Sequence, residues 1–216
     1  MHERSAGLLR GLAILAFTAL SIAVAAYAFA YLYREHSPSD RFAAQFAVSV
    51  LDVPAHFFGA GLALLLTPLQ LSASVRRLAP RLHRVSGWLT ASGILVAALA
   101  ALSMSRHTQG GPASGVPLAV LALAWLCCMG TGIRRIVAGD VAGHRRWMRR
   151  TAALTFAAVT LRLILGAGMA LHLPPLSVYV FATWACWPIN LAVCELLTRR
   201  RSARSHPSAL ALAPHS

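Results

Sequence analysis

The chain contains no lysine. Its 216 residues carry 20 basic side chains, all arginine, against 6 acidic ones. Charge of either sign is scarce: 12% of residues are charged, about half the roughly 25% of a soluble domain. So few charges cannot cover a globular surface in water, which excludes an ordinary soluble enzyme. The soluble-enzyme signatures are missing as well. There is no glycine-rich nucleotide loop, no HExxH and no GxSxG. The four cysteines, Cys127, Cys128, Cys186 and Cys194, form no CxxC pair and lie inside apolar runs. They read as small packing residues, with no zinc site or redox motif indicated. No stretch alternates polar with apolar, which argues against a membrane β-barrel.

Apolar length is what the chain has. Mean hydropathy is +0.63, and six apolar runs reach the ~20 residues that a spanning helix needs. They cover residues 8–33, 46–71, 85–105, 116–137, 148–171 and 176–197. The predicted fold class is therefore an all-α membrane protein, a bundle of about six transmembrane helices. Residues 1–7 form a short leading segment, 8–200 the membrane domain, and 201–216 a Ser/Pro/Ala-rich tail predicted to be disordered. The first run begins after basic residues, and Ala28-Phe29-Ala30 could serve as a cleavage site. The run continues through Tyr31-Leu32-Tyr33, which is long for a signal core and favours a retained helix.

The net charge of +14 and the pI near 11.5 invite a nucleic-acid reading. The arginines refute it, because they stand at the ends of apolar runs and make no continuous basic face. They collect in alternate connections: Arg76, Arg77, Arg81 and Arg84, then Arg134, Arg135, Arg145, Arg146, Arg149 and Arg150, then Arg199, Arg200, Arg201 and Arg204. The positive-inside rule then places both termini in the cytoplasm. The lysine-free, alanine-rich composition suggests a GC-rich bacterial genome, so the expected location is the bacterial inner membrane, with the lipid bilayer as partner and no nucleic acid.

Two groups of residues stand out against this background. The first is an interfacial basic cluster, Arg84, Arg145, Arg146, Trp147, Arg149 and Arg150, with His83 and His144 each beside an arginine at the start of an outgoing helix. The arginines and tryptophan fit a membrane collar, and the histidines do not follow from that. The histidines could bind an anionic headgroup or a quinone, or ligate a haem. The second group lies within the membrane: Asp52, His56, Arg162, Asn190 and Glu195. Asp52 and His56, four residues apart, share a helix face. At 1.5 Å per residue His56 lies ~13–15 Å below one surface and Arg162 ~20 Å from the other, which puts them at similar heights in a ~30 Å core. Ionisable groups at that depth cost about 2.5–3.5 kcal/mol each, so an Asp52–Arg162 ion pair is expected. Pro188 frees a backbone carbonyl that Asn190 or a neighbour could satisfy, and Glu195 is expected to neutralise part of the arginine collar.

Four stretches resemble a known family. HFFGAGLALLLTPLQ (56–70), RLHRVSGW (81–88), GDVAGHRRWMRRTAALTFAAVTLRL (139–163) and CWPINLAVCELL (186–197) are similar to the bacterial membrane proteins called domain of unknown function 2306. The resemblance covers roughly residues 45–200. It implies that His56, His83, His144, Arg145, Trp147, Met148, Arg150, Arg162, Pro188, Asn190 and Glu195 occupy characteristic positions. One departure is Trp88-Leu89-Thr90, where the family often reads Arg-Val-Tyr. The resemblance implies a fold and a location but no activity.

The expected functions are therefore of different classes. Histidine in two layers, His83 and His144 on one side and His56 on the other, fits a redox protein with b-type haem or a quinone. His83 and His144 would hold the iron. Against it, no helix carries two histidines 13–14 residues apart, as small membrane cytochromes usually do. The alternatives are a transporter or ligand-binding protein built on Asp52, His56 and Arg162, or a structural or assembly role without catalysis.

Overall fold

A computed structural model describes residues 2–33 and 51–204 of the chain. The described residues are helical and hold no strand, and six stretches among them are long and apolar enough to cross a membrane. The expectation of an all-α bundle of about six spanning helices holds. The helices are α1 (His2–Tyr33), α2 (Asp52–Leu71), α3 (Ala73–Leu78), α4 (Pro80–Met104), α5 (Pro112–Val137), α6 (Val141–Thr155), α7 (Ala157–Ala170) and α8 (Pro175–Arg204). The start of the second predicted run, the first predicted loop with Arg34 and Arg41, and the tail from residue 205 on lie outside the described residues.

Each helix starts and stops for a local reason. Ser72 turns extended after α2, and its hydroxyl accepts from the Val75 amide at 3.3 Å, capping α3. Pro80 and Pro112 stand at the first positions of α4 and α5, where a missing N–H costs nothing. Gly139 reverses the chain at φ +79°, a left-handed conformation that a side chain rarely tolerates. Asp140 follows as the cap of α6, its Oδ1 accepting from the Gly143 amide at 2.7 Å. The fifth predicted run began at residue 148, but this cap starts the helix at Val141, so His144, Arg145 and Arg146 are helical.

The Asp140 cap carries a pH prediction. The Gly143 amide, and then Arg135 at 3.2 Å, hold the Asp140 carboxyl below its usual range. A depressed folded-state pKa gives a contribution that is complete above the ordinary value of about 3.9 and lost as pH falls through the lower folded value. Asp140→Asn should therefore melt below the parent protein at about pH 7, with the gap narrowing as pH falls below about 3.9. Melting curves that stay parallel across that range would show that the carboxylate charge adds nothing.

The core is a layer of small residues between large ones. Ala63, Ile94, Ala97, Ala98, Ala122, Trp125, Met129 and Leu154 are buried together where α2, α4, α5 and α6 meet. A smaller cluster of Ala25, Leu64 and Val159 joins α1 to α2 and α7. The first run is thus packed into the bundle: Phe17 stacks on Phe156 at 4.7 Å and Tyr31 on Phe57 at 4.9 Å. Leucines and isoleucines along the rest of α1 are exposed, as a lipid-facing surface requires.

Candidate intramembrane site

The fifth membrane-crossing stretch is not one helix. It breaks at Phe156, and α6 and α7 are its halves. No proline or glycine marks the place. Val159 bonds back to the Phe156 carbonyl at 2.9 Å in place of the α-helical partner. The Ala153 carbonyl accepts instead from Asn190 Nδ2 on α8 at 3.1 Å. Asn190 Oδ1 in turn accepts from the Thr160 hydroxyl at 2.9 Å. One side-chain amide therefore bridges both halves of the broken span, a recognised cause of a helix kink. Asn190 was one of two candidates for the carbonyl freed by Pro188, the other being a neighbour; its bonds run to α6 and α7. Trp125 on α5 steadies the same turn by donating to the Thr155 hydroxyl at 3.0 Å.

The break positions α7, and α7 carries Arg162. The Arg162 guanidinium donates to the Ala158 carbonyl at 2.9 Å and lies over the Tyr27 ring of α1, 5.3 Å from its centre. The expected Asp52–Arg162 ion pair is not among those formed. Arg135–Asp140 and Arg150–Glu195 do form ion pairs. Depth alone suggested Asp52 as the partner. The backbone acceptor one turn earlier and the tyrosine ring take the guanidinium instead.

His56 faces the same place from α2. Its Nδ1 lies 2.9 Å from the Ala97 carbonyl of α4. A carbonyl only accepts, so Nδ1 carries the proton and the neutral ring keeps a lone pair on Nε2. His56 and Arg162 line one cavity of about 60 Å³, walled by Val24 and Ala28 of α1, Phe57, Ala60, Gly61 and Leu64 of α2, and Ala158 of α7. The structure thus brings His56 and Arg162 together. Asp52 lies one turn before His56 on α2, while Asn190 belongs to the bridge across the helix break.

The arginine-rich end is organised differently. Glu195 of α8 accepts from Arg150 Nε at 2.6 Å, and the Arg150 guanidinium also covers the Trp147 ring at 4.5 Å. Glu195 neutralises part of the collar, as its position suggested. Arg145, Arg146 and Arg84 are exposed and Arg149 half-buried. Arg76 donates to the Gln70 and Leu71 carbonyls, closing the C-terminus of α2. Partial burial, then Arg145 and Arg149, push its pKa down. His144 places Nδ1 2.9 Å from the Gly132 carbonyl, which leaves its Nε2 open as in His56. His83 Nδ1 is buried without a hydrogen-bond partner.

A sequence profile described as a predicted membrane protein, DUF2306, matches residues 53–198. The chain belongs to the DUF2306 family. No curated protein and no solved structure matches it. The DUF2306 region holds His56, Arg162, Asn190 and the break at Phe156. The α1 wall of the cavity, Val24 and Ala28, precedes it, as does Tyr27 beneath Arg162. Sequence reading missed the break itself and the place of Tyr27 beneath Arg162. A proline or glycine would have signalled the first, but the break rests on a long-range bond from Asn190.

Proposed function

We propose that this DUF2306 protein is an intramembrane binding protein whose ligand places a small polar headgroup between His56 and Arg162. It would sit in the bacterial inner membrane with the arginine-rich ends of its helices toward the cytoplasm, as the positive-inside rule requires. The observation that carries the reading is Arg162. A guanidinium has five N–H donors, and this one spends a single bond on a backbone carbonyl inside a membrane bundle. Polar groups at such depth mark functional sites by default. Here the guanidinium shares a cavity with an imidazole nitrogen that has an open lone pair.

Size favours a slim ligand over a ring. Benzene occupies an apolar cavity of roughly 150 Å³, against about 60 Å³ between His56 and Arg162. The haem reading keeps one supporting observation at the other end of the bundle. His144 presents Nε2 while Nδ1 is held by a carbonyl, the usual second contact of a haem-ligating histidine.

One experiment tests both readings. The protein, purified from cells supplied with iron and haem, should be colourless and should carry a co-purifying amphiphile detectable by mass spectrometry of the organic extract. Arg162→Gln should reduce that amphiphile at least about tenfold, the loss of one buried charged contact. An intense haem band, abolished by His83→Ala or His144→Ala, would overturn the binding reading. So would an amphiphile retained in full by Arg162→Gln.

A further inference from the structure

We infer that the ligand of the His56–Arg162 cavity is a single-chain carboxylic acid, taken up together with its proton. The inference rests on the binding reading above and names its ligand class.

The two polar groups have opposite requirements. Arg162 only donates, so it needs an acceptor. His56 donates through Nδ1 to the Ala97 carbonyl, so its Nε2 accepts and needs a donor. The ligand headgroup must therefore offer an acceptor and a donor within a space of about 60 Å³. An ester or a ketone offers only acceptors. An alcohol offers both, but only through a single oxygen. A protonated carboxyl meets both needs: its C=O oxygen accepts from Arg162 and its O–H donates to Nε2. If the proton then moves, the carboxyl O–H bond breaks and an Nε2–H bond forms. That leaves a carboxylate between an imidazolium and a guanidinium, with net charge unchanged.

The surroundings agree with a chain attached to that head. Apart from His56 and Arg162, the residues lining the cavity are apolar. Tyr27, whose ring supports Arg162, is 51% exposed on the lipid-facing side of α1, so the head lies close to the acyl chains. Polar groups surround His56 on several described helices. They are Arg162 from α7 and the Ala97 carbonyl from α4, with Tyr27 of α1 beneath Arg162 and Asp52 one turn back on α2.

The test uses the full chain in nanodiscs depleted of free fatty acid, titrated calorimetrically in two buffers of different ionisation enthalpy. The probes are dodecanoate, dodecanol, methyl dodecanoate and dodecyl phosphate. Dodecanoate should bind at about pH 8 with uptake of about one proton per site, and the alcohol and ester at least about tenfold more weakly. His56→Gln should retain dodecanoate binding but lose the proton uptake. Arg162→Gln should weaken binding at least about tenfold, and Arg162→Lys should restore part of it, which separates loss of charge from loss of fold. Equal binding of ester and acid would overturn the carboxylic-acid assignment and leave the cavity as a binding site. Tighter binding of dodecyl phosphate would likewise replace the carboxyl by a phosphate. Binding of none of the four probes would overturn both the acid and the site.

Discussion

Gly59→Ala should cost about 1–3 kcal/mol of stability, whereas Gly130→Ala should be neutral or stabilising by up to about 1 kcal/mol. Both glycines lie inside apolar helices, and alanine is the better helix former at each. The difference is what a methyl group meets. At Gly59 it would lie 2.5 Å from the Gly93 carbonyl oxygen and 3.1 Å from the Ala97 amide nitrogen. At Gly93 it would lie 2.8 Å from the Gly59 carbonyl oxygen. These are backbone atoms, which cannot turn aside as a side-chain tip can. At Gly130 nothing lies within 4 Å. Helices α2 and α4 therefore cross at their closest possible approach, the arrangement small residues permit in membranes. The same crossing brings the Ala97 carbonyl to His56 one turn away, so Gly59→Ala should also loosen the tautomer-fixing bond. Unfolding in mixed micelles, run on both variants, checks the contrast. A Gly59→Ala protein as stable as Gly130→Ala would mean the helices do not meet there.

That crossing shows what was legible in the sequence and what was not. Six apolar runs state their own number and length, because spanning a bilayer is a demand on each helix separately. The arginines mark the ends of those runs for the same local reason. That Glu195 neutralises part of the collar was readable from its place at the arginine-rich end; that Arg150 is its partner was not. Partnerships inside the membrane are different, because they depend on rotation about each helix axis. Asp52 and Arg162 agree in height, yet Arg162 turns to the Ala158 carbonyl and the Tyr27 ring. His56 and Arg162 also agree in height and do line one cavity. Height was readable from residue counting, but rotation was not. Tyr27 was assigned to no site, because nothing beside it in the sequence ties it to Arg162 on a distant helix.

Asn190→Leu should destabilise the protein by about 1–3 kcal/mol, as expected when a buried acceptor loses its partner. The amide makes two bonds across the helix break, to the Ala153 carbonyl at 3.1 Å and from the Thr160 hydroxyl at 2.9 Å. Interhelical bonds in membranes average about 0.6 kcal/mol and reach about 1.7 kcal/mol, so two together fall in the stated range. Thr160→Val removes one of them and should cost less. Because both substitutions break the Thr160–Asn190 bond, the double variant should cost less than their sum by roughly 0.5–1 kcal/mol. Pro188→Ala should leave the Asn190→Leu cost unchanged, since the amide does not serve the carbonyl that Pro188 frees. The decisive measurement is a double-mutant cycle of reversible unfolding in one detergent mixture. Additive costs for Asn190 and Thr160 would show that the bridge does not form. Coupling to Pro188 in place of Thr160 would return Asn190 to the kink of its own helix. If the bridge holds, the Asn190→Leu variant should also lose ligand from the His56–Arg162 cavity. The broken span is what carries Ala158 and Arg162 to their places, and nothing else in α8 reaches that turn through a bond to both halves.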